Sequence, residues 1–279
     1  MKYMKILGLL LTITLFSNMV YAQDDDNSSD NNPKKKGHSL TIDQNGLNIH
    51  KDKRKNAKDE DRFEMGSMIF DLGLNSLVDK TNYNSTATQN FLKVDPSLKN
   101  SNLFDMNQGK SVNVNIYPLT TKYRVLATDN QKIYLVSGIG LQLYNFRFNK
   151  PITYTNTTSP AIVYEDSAQF SKNKLAFDYV NIPLGLTCKT RLSGKRWLVY
   201  GAGLTGGYRL ASWTKQISSE MGKQKDHDQF DFSNFNSCVT GELGIDNVFR
   251  LYATYQLTSL QMDGLNQHPF CIGIRFSGI

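Results

Sequence analysis

Between Val180 and Leu192 the chain alternates. Val180, Ile182, Leu184, Leu186 and Leu192 fall in one series with Cys188, and Asn181, Pro183, Gly185, Thr187, Lys189 and Arg191 fall between them. A period of two places successive side chains on opposite faces of a β-strand. The same partition recurs elsewhere. Leu198, Tyr200, Ala202, Leu204, Tyr208 and Leu210 oppose Gly201, Gly203, Thr205, Gly207 and Arg209. Ile133, Leu135, Ile139, Leu141 and Leu143 oppose Gly138, Gly140, Gln142 and Tyr144. Phe249, Leu251, Ala253, Tyr255 and Leu257 oppose Arg250, Tyr252, Thr254, Gln256 and Thr258, and near the end Phe270, Ile272, Ile274 and Phe276 oppose Cys271, Gly273 and Arg275.

From Phe63 onward no segment carries helical periodicity, and the alternation predicts eight strands at about 64–78, 110–126, 131–148, 174–192, 196–214, 231–246, 248–260 and 268–277. Their connections alternate in length. Long ones run over 79–109, 149–173, 215–230 and 261–267, and tight ones over 127–132, 193–195 and 246–247. Strands joined by tight turns are antiparallel, so the series reads as an up-and-down meander with its long loops on one rim and its short turns on the other.

The two faces differ in kind. If the branched and aromatic face were an inner core, eight strands would direct it all into one cavity and leave glycine and charge outside. The reverse arrangement is expected: a narrow lumen filled by glycine, threonine, glutamine and ionic side chains, with apolar residues turned to lipid. Edges cannot stay open in hydrocarbon, so the fold class predicted is an all-β, eight-stranded antiparallel up-and-down transmembrane β-barrel. Charge in such a lumen must be paired, and Asp71 and Glu242 against Arg209, Arg250 and Arg275 form the expected structural network. Tyr117, Phe146, Phe148, Tyr179 and Tyr200, near strand ends, are expected to form an interfacial aromatic belt.

The first residues change where this protein works. Lys2 and Lys5, the run from Ile6 to Phe16 and the small residue Ala22 have the order of a secretory signal peptide over 1–22, with cleavage between Ala22 and Gln23. The apolar run is shorter than the ~20 residues that a spanning helix needs. Residues 23–62 form a polar arm. From Asp24 to Arg62 nine acidic residues balance nine basic ones, a composition that cannot offset its ordering entropy and is expected to be mostly disordered. Within it, two short apolar runs around Asn45 and Gly46 suggest a hairpin. Residues 63–279 form the barrel.

The formal net charge of +7 becomes +5 without Lys2 and Lys5, and on a secreted chain it does not argue for nucleic acid. Cys188, Cys238 and Cys271 lie in alternating strands with no metal or redox spacing, and no cofactor or metal site is expected. His38, His50, His227 and His268 are scattered through the arm and loops. The carboxylates of Asp226 to Asp231 lack the glycine and distal glutamate of a calcium loop. The glycines from 201 to 207 have no following helix to cradle a phosphate. Ser212, His227 and Asp231 approach the long-loop rim, but no spacing selects them as a catalytic set, so no enzyme is expected.

The signal ending YAQ, the polar arm, and the strands MIFDLGLNSLVD, YVNIPLGLTCKT, YGAGLTGGYRL and PFCIGIRF together resemble the small outer-membrane β-barrels of Gram-negative bacteria called PorT-like, over about residues 63–279. The resemblance implies an integral protein of the cell outer membrane, inserted by the barrel-assembly machinery and surrounded by outer-membrane lipid, with its arm in the periplasm. It would act as a structural or interaction protein through its surface loops or its arm, on a periplasmic or cell-surface protein partner. The competing reading is a secreted, soluble lipocalin-like barrel, with an apolar cavity inside for a small hydrophobic ligand.

Overall fold

The computed structural model describes residues 39–43, 46–50, 62–66, 68–155, 162–194 and 196–277. The expected signal segment, with Ala22 and Gln23, and most of the polar arm lie outside the described residues. The chain divides into two units, Met1–Lys58 and Asp59–Ile279. In the first, Ser39–Asp43 pairs antiparallel with Gly46–His50, from Ser39↔His50 to Asp43↔Gly46.

The second unit is an antiparallel sheet built on eight strands. They are β1 (Ile69–Asp79), β2 (Val112–Ala127), β3 (Gln131–Phe148), β4 (Phe170–Ser193), β5 (Arg196–Ser218), β6 (Phe235–Ile245), β7 (Phe249–Gln256) and β8 (Gln267–Ser277). Each pairs with the strand before and after it in the chain. In addition β8 pairs with β1, from Gln267↔Asp79 to Ser277↔Ile69. Phe63–Met65 adds a short antiparallel pairing to β2, and Gly222–His227 folds back onto the end of β5.

The alternation places the side chains. Leu184, Leu204 and Ile274 are exposed at 55%, 57% and 43%, while Asp71 and Arg209 are 0% and 7% exposed. Two bulges reset the phase where the sequence pattern runs on. In β2, Tyr117 and Pro118 stand against Gly140 alone, at the register shift between Ile116 and Leu119. Proline has no amide to give to a ladder, so a bulge is where a strand tolerates it. In β5, Leu210 is the extra residue between Arg209 and Ala211. Before it, Thr205 and Arg209 are buried, and after it Ser212, Thr214 and Gln216 are.

Close packing explains Gly140. A Cβ there would overlap the ring of Tyr117, which keeps the inward phase of Asn113 and Asn115.

The long connections are built structures. After β1, Ser85 caps the helix Thr86–Phe91 by accepting from the Thr88 amide, and three 3-10 turns follow. Ile152–Thr155 pairs with Ile162–Glu165, and Leu92–Lys93 lies parallel to the latter, so the first two long loops share a small sheet. Beneath it Phe91, Phe104, Phe146, Phe177, Phe230 and Phe232 are buried in one apolar cluster. Phe177 and Phe232 meet edge to face with ring centroids 4.5 Å apart. Near it burial and the Asp79 carboxylate raise the Tyr83 phenol well above its ordinary range, so it stays a donor to Asp79 Oδ2 at 2.5 Å.

This cluster corrects the expected aromatic belt. Tyr117, Phe146, Phe148 and Tyr179 are buried, and Tyr200 alone of the five is exposed. Phe146 and Phe148 share the inward phase of Gln142 and Tyr144, so proximity to a strand end misjudged a position that parity decides.

Candidate functional site: the apolar belt and the buried charge chain

Two features of the second unit are built for a particular environment. The first lies on the outward face. Every strand contributes exposed apolar side chains, among them Leu72, Val125, Leu135, Leu184, Leu204, Leu243, Leu251 and Ile274, taken from β1 to β8 in order. Soluble monomers rarely expose a contiguous apolar patch beyond a few hundred Å².

The second lies behind it, toward the short-turn end. Strand register sets Arg275 on β8 directly across from Asp71 on β1. The guanidinium grips the carboxylate with both ends, Nε to Oδ1 at 2.8 Å and Nη2 to Oδ2 at 2.9 Å. Asn115 on β2 donates to the same carboxylate at 3.2 Å. The other guanidinium nitrogen, Nη1, reaches Glu242 Oε2 on β6 at 3.2 Å, and Thr187 Oγ1 on β4 donates to Glu242 Oε1 at 2.7 Å. Arg250 Nη1 lies 3.6 Å from Glu242 Oε2, and its Nη2 donates to Asp246 Oδ1 at 2.8 Å. Lys189 Nζ closes the chain on Asp246 Oδ2 at 2.6 Å.

Three carboxylates thus alternate with three cations across five strands and the turn after β6. The alternation is what makes the register tolerable, because Arg250 stands directly opposite Arg275 and like charges in that position repel. Gly201 faces Glu242, and a Cβ there would crowd its carboxylate at 3.1 Å. Beside the chain is a cavity of about 90 Å³ with a mixed lining, to which Tyr117, Lys122, Tyr134 and Glu64 contribute.

Of the five expected network residues, Asp71, Glu242, Arg250 and Arg275 come together. Arg209 does not. It sits toward the long-loop end and has no ion pair among the described residues. Its guanidinium donates instead to the carbonyls of Gln229, Phe232 and Ser233 and to Ser212 Oγ and Asn234 Oδ1. The distance along β5 from Gly201, opposite Glu242, to Arg209 keeps it out of reach of the carboxylates. The sequence reading missed Lys189, Thr187, Asn115 and Asp246. The first three sit on the polar series of their strands, so parity could have found them, whereas Asp246 lies in a turn where parity ends.

The catalytic trio considered from sequence does not converge. Ser212 is buried, accepting from Arg209 and donating to the Asp228 carbonyl, while His227 lies beside Trp213 on the opposite face of the sheet. His268 is buried with its ring nitrogens on the Gln256 carbonyl and Asn266 Oδ1. Cys188, Cys238 and Cys271 are free thiols. Among the described residues no three His, Cys, Asp or Glu side chains gather where they could hold a metal.

No family model matches this chain, and no curated protein matches it. Among solved structures it is similar to the crystal structure of Ail, the attachment invasion locus protein of Yersinia pestis, at 9% identity. That likeness covers 76% of this chain and 98% of Ail, with a TM-score of 0.26.

Proposed function

We propose that β1 to β8 close into a barrel that spans the outer membrane of a Gram-negative bacterium, as a sealed structural or interaction protein and not as an enzyme or pore. The observation that carries this reading is the exposure of aliphatic side chains on all eight strands over a buried chain of charge. A soluble barrel for a hydrophobic ligand needs the opposite, an apolar cavity within and a polar surface. On β5 the outward apolar series runs from Leu198 to Leu210, twelve positions apart. At ~3.3 Å per residue and a tilt of ~45° that series rises ~28 Å, close to the hydrocarbon thickness.

The pairing of β8 with β1 supports closure, since it leaves each of the eight with two partners. The charge chain at one end and the aromatic cluster at the other fill the lumen, so a conducting path is not expected. The long loops face the cell exterior as a packed cap, and the N-terminal arm lies in the periplasm. Contact with a protein partner falls to that cap or to the arm, and insertion to the barrel-assembly machinery.

Extraction tests the reading. Membranes from cells expressing the chain should retain it through carbonate wash and release it in detergent, with heat-modifiable migration on a gel. Release by carbonate would refute the assignment. Leu184→Arg sharpens it, because a cation in mid-belt should cost about 2–4 kcal/mol in a bilayer and little in water. Planar bilayers should record no steady unit conductance.

A further inference from the structure

One outward patch of the second unit carries a single sign of charge. At the long-loop end of the apolar belt, Arg147 on β3 pairs with Lys174 on β4, Lys174 with Lys215 on β5, and Lys215 with Lys225 of Gly222–His227. Directly paired residues share a face, so four cations stand side by side across four adjacent strands. Lys172 and Lys223 flank Ile217 in the next row, which brings the patch to six. None of the six forms an ion pair among the described residues. Like charges directly opposite destabilise a sheet, yet here three successive pairings are of that kind. Asp178, lower on β4, is the acid that acts on Lys174 and Lys225.

The neighbours of the patch say what meets it. One row nearer the belt is Trp213, with Lys225 Nζ at 4.9 Å and Lys174 Nζ at 6.0 Å from its ring centroid. Beyond it the same strands present exposed Leu210 and Ile182. A tryptophan at the border of an apolar belt with cations just above it is the order of layers at a membrane interface, where long basic side chains reach the headgroups.

We infer that this row binds the phosphate groups of an anionic lipid in the leaflet at the long-loop end. The inference rests on the membrane-spanning reading and adds a ligand class to it. Asp178 offsets one of the six cations, the lipid phosphates supply the remaining counter-charge, and the aliphatic residues below hold the acyl chains of the same molecule. Because the basic row lies on β3, β4 and β5 and the strand after them, lipid of this kind should gather on that side of the barrel alone.

The test uses the full chain folded in zwitterionic micelles and carrying Trp197→Phe, so that Trp213 is the one indole reporting. Bisphosphorylated lipid A is titrated in while Trp213 emission is followed. A saturable change is expected, weakened tenfold or more in Lys174→Gln/Lys215→Gln/Lys225→Gln and weakened by added salt. Equal binding of the dephosphorylated lipid overturns the phosphate, and unchanged binding in the triple variant overturns the site. Competition by inorganic pyrophosphate at the same concentration overturns the lipid as the source. Heat-modifiable migration is recorded on every sample. A chain that never folds into the micelles overturns the spanning reading as well, whereas a folded one without lipid preference overturns this inference alone.

Discussion

The inward face of the sheet is filled in two ways. Toward the short turns it holds Asp71, Arg275, Glu242, Arg250 and Lys189, each with a specific partner at a specific distance. Toward the long loops it holds Phe146, Phe177, Phe230 and Phe232, which need only contact and shape. Parity delivers the ionic set, Phe146 and Phe177 inward, whereas Phe230 and Phe232 are carried in by the connection that precedes β6, and the two sets do different work. The charge chain joins strands distant in sequence through directed bonds, and failure of one member takes a directed partner from a buried charge. The aromatic cluster binds loops to strands through non-directional burial, which degrades by degrees.

Single substitutions should break the two halves differently. Asp71→Ala removes the bidentate partner of Arg275, leaving it Glu242 alone behind the belt, and should cost about 3–5 kcal/mol. Urea unfolding of the micelle-bound chain, followed by heat-modifiable migration, reads that loss, and a change below 1 kcal/mol would show that the pair is solvated. Phe177→Ala removes the ring packed on Phe232 and should cost about 3 kcal/mol, within the span for buried aromatic truncations. Its effect should appear first as protease cutting in the loops over 219–234 while the strands stay protected. Loss of strand protection at the same rate would make the two halves one cooperative unit. Thr187→Val removes a single donor to Glu242 and should cost about 1–2 kcal/mol, with no change in loop proteolysis.

The outward and inward series of β4 could be read from the chain with no structure, and Leu184 and Asn181 lie where that reading puts them. The four members of the charge chain that meet were also visible as ionic residues on polar series. Arg209 was visible in the same way and was misassigned, because alternation states which face a residue takes and not how far along the strand it sits. Tyr117 and Phe146 were misassigned for the converse reason: position near a strand end was allowed to outweigh parity. The row through Arg147, Lys174, Lys215 and Lys225 had no sequence signal, since its members are spread over four elements and only the register aligns them.

Sequence alone determined the period-two pattern, the places where strands turn, and the chemistry of each face, because these depend on neighbours within a few residues. The tertiary structure decided the register between strands, the two bulges that reset the phase at Pro118 and Leu210, the pairing of β8 with β1, and the packing of long loops over the aromatic end. Those depend on contacts between residues far apart in the chain, such as Asp71 and Arg275, whose free energies no local window contains.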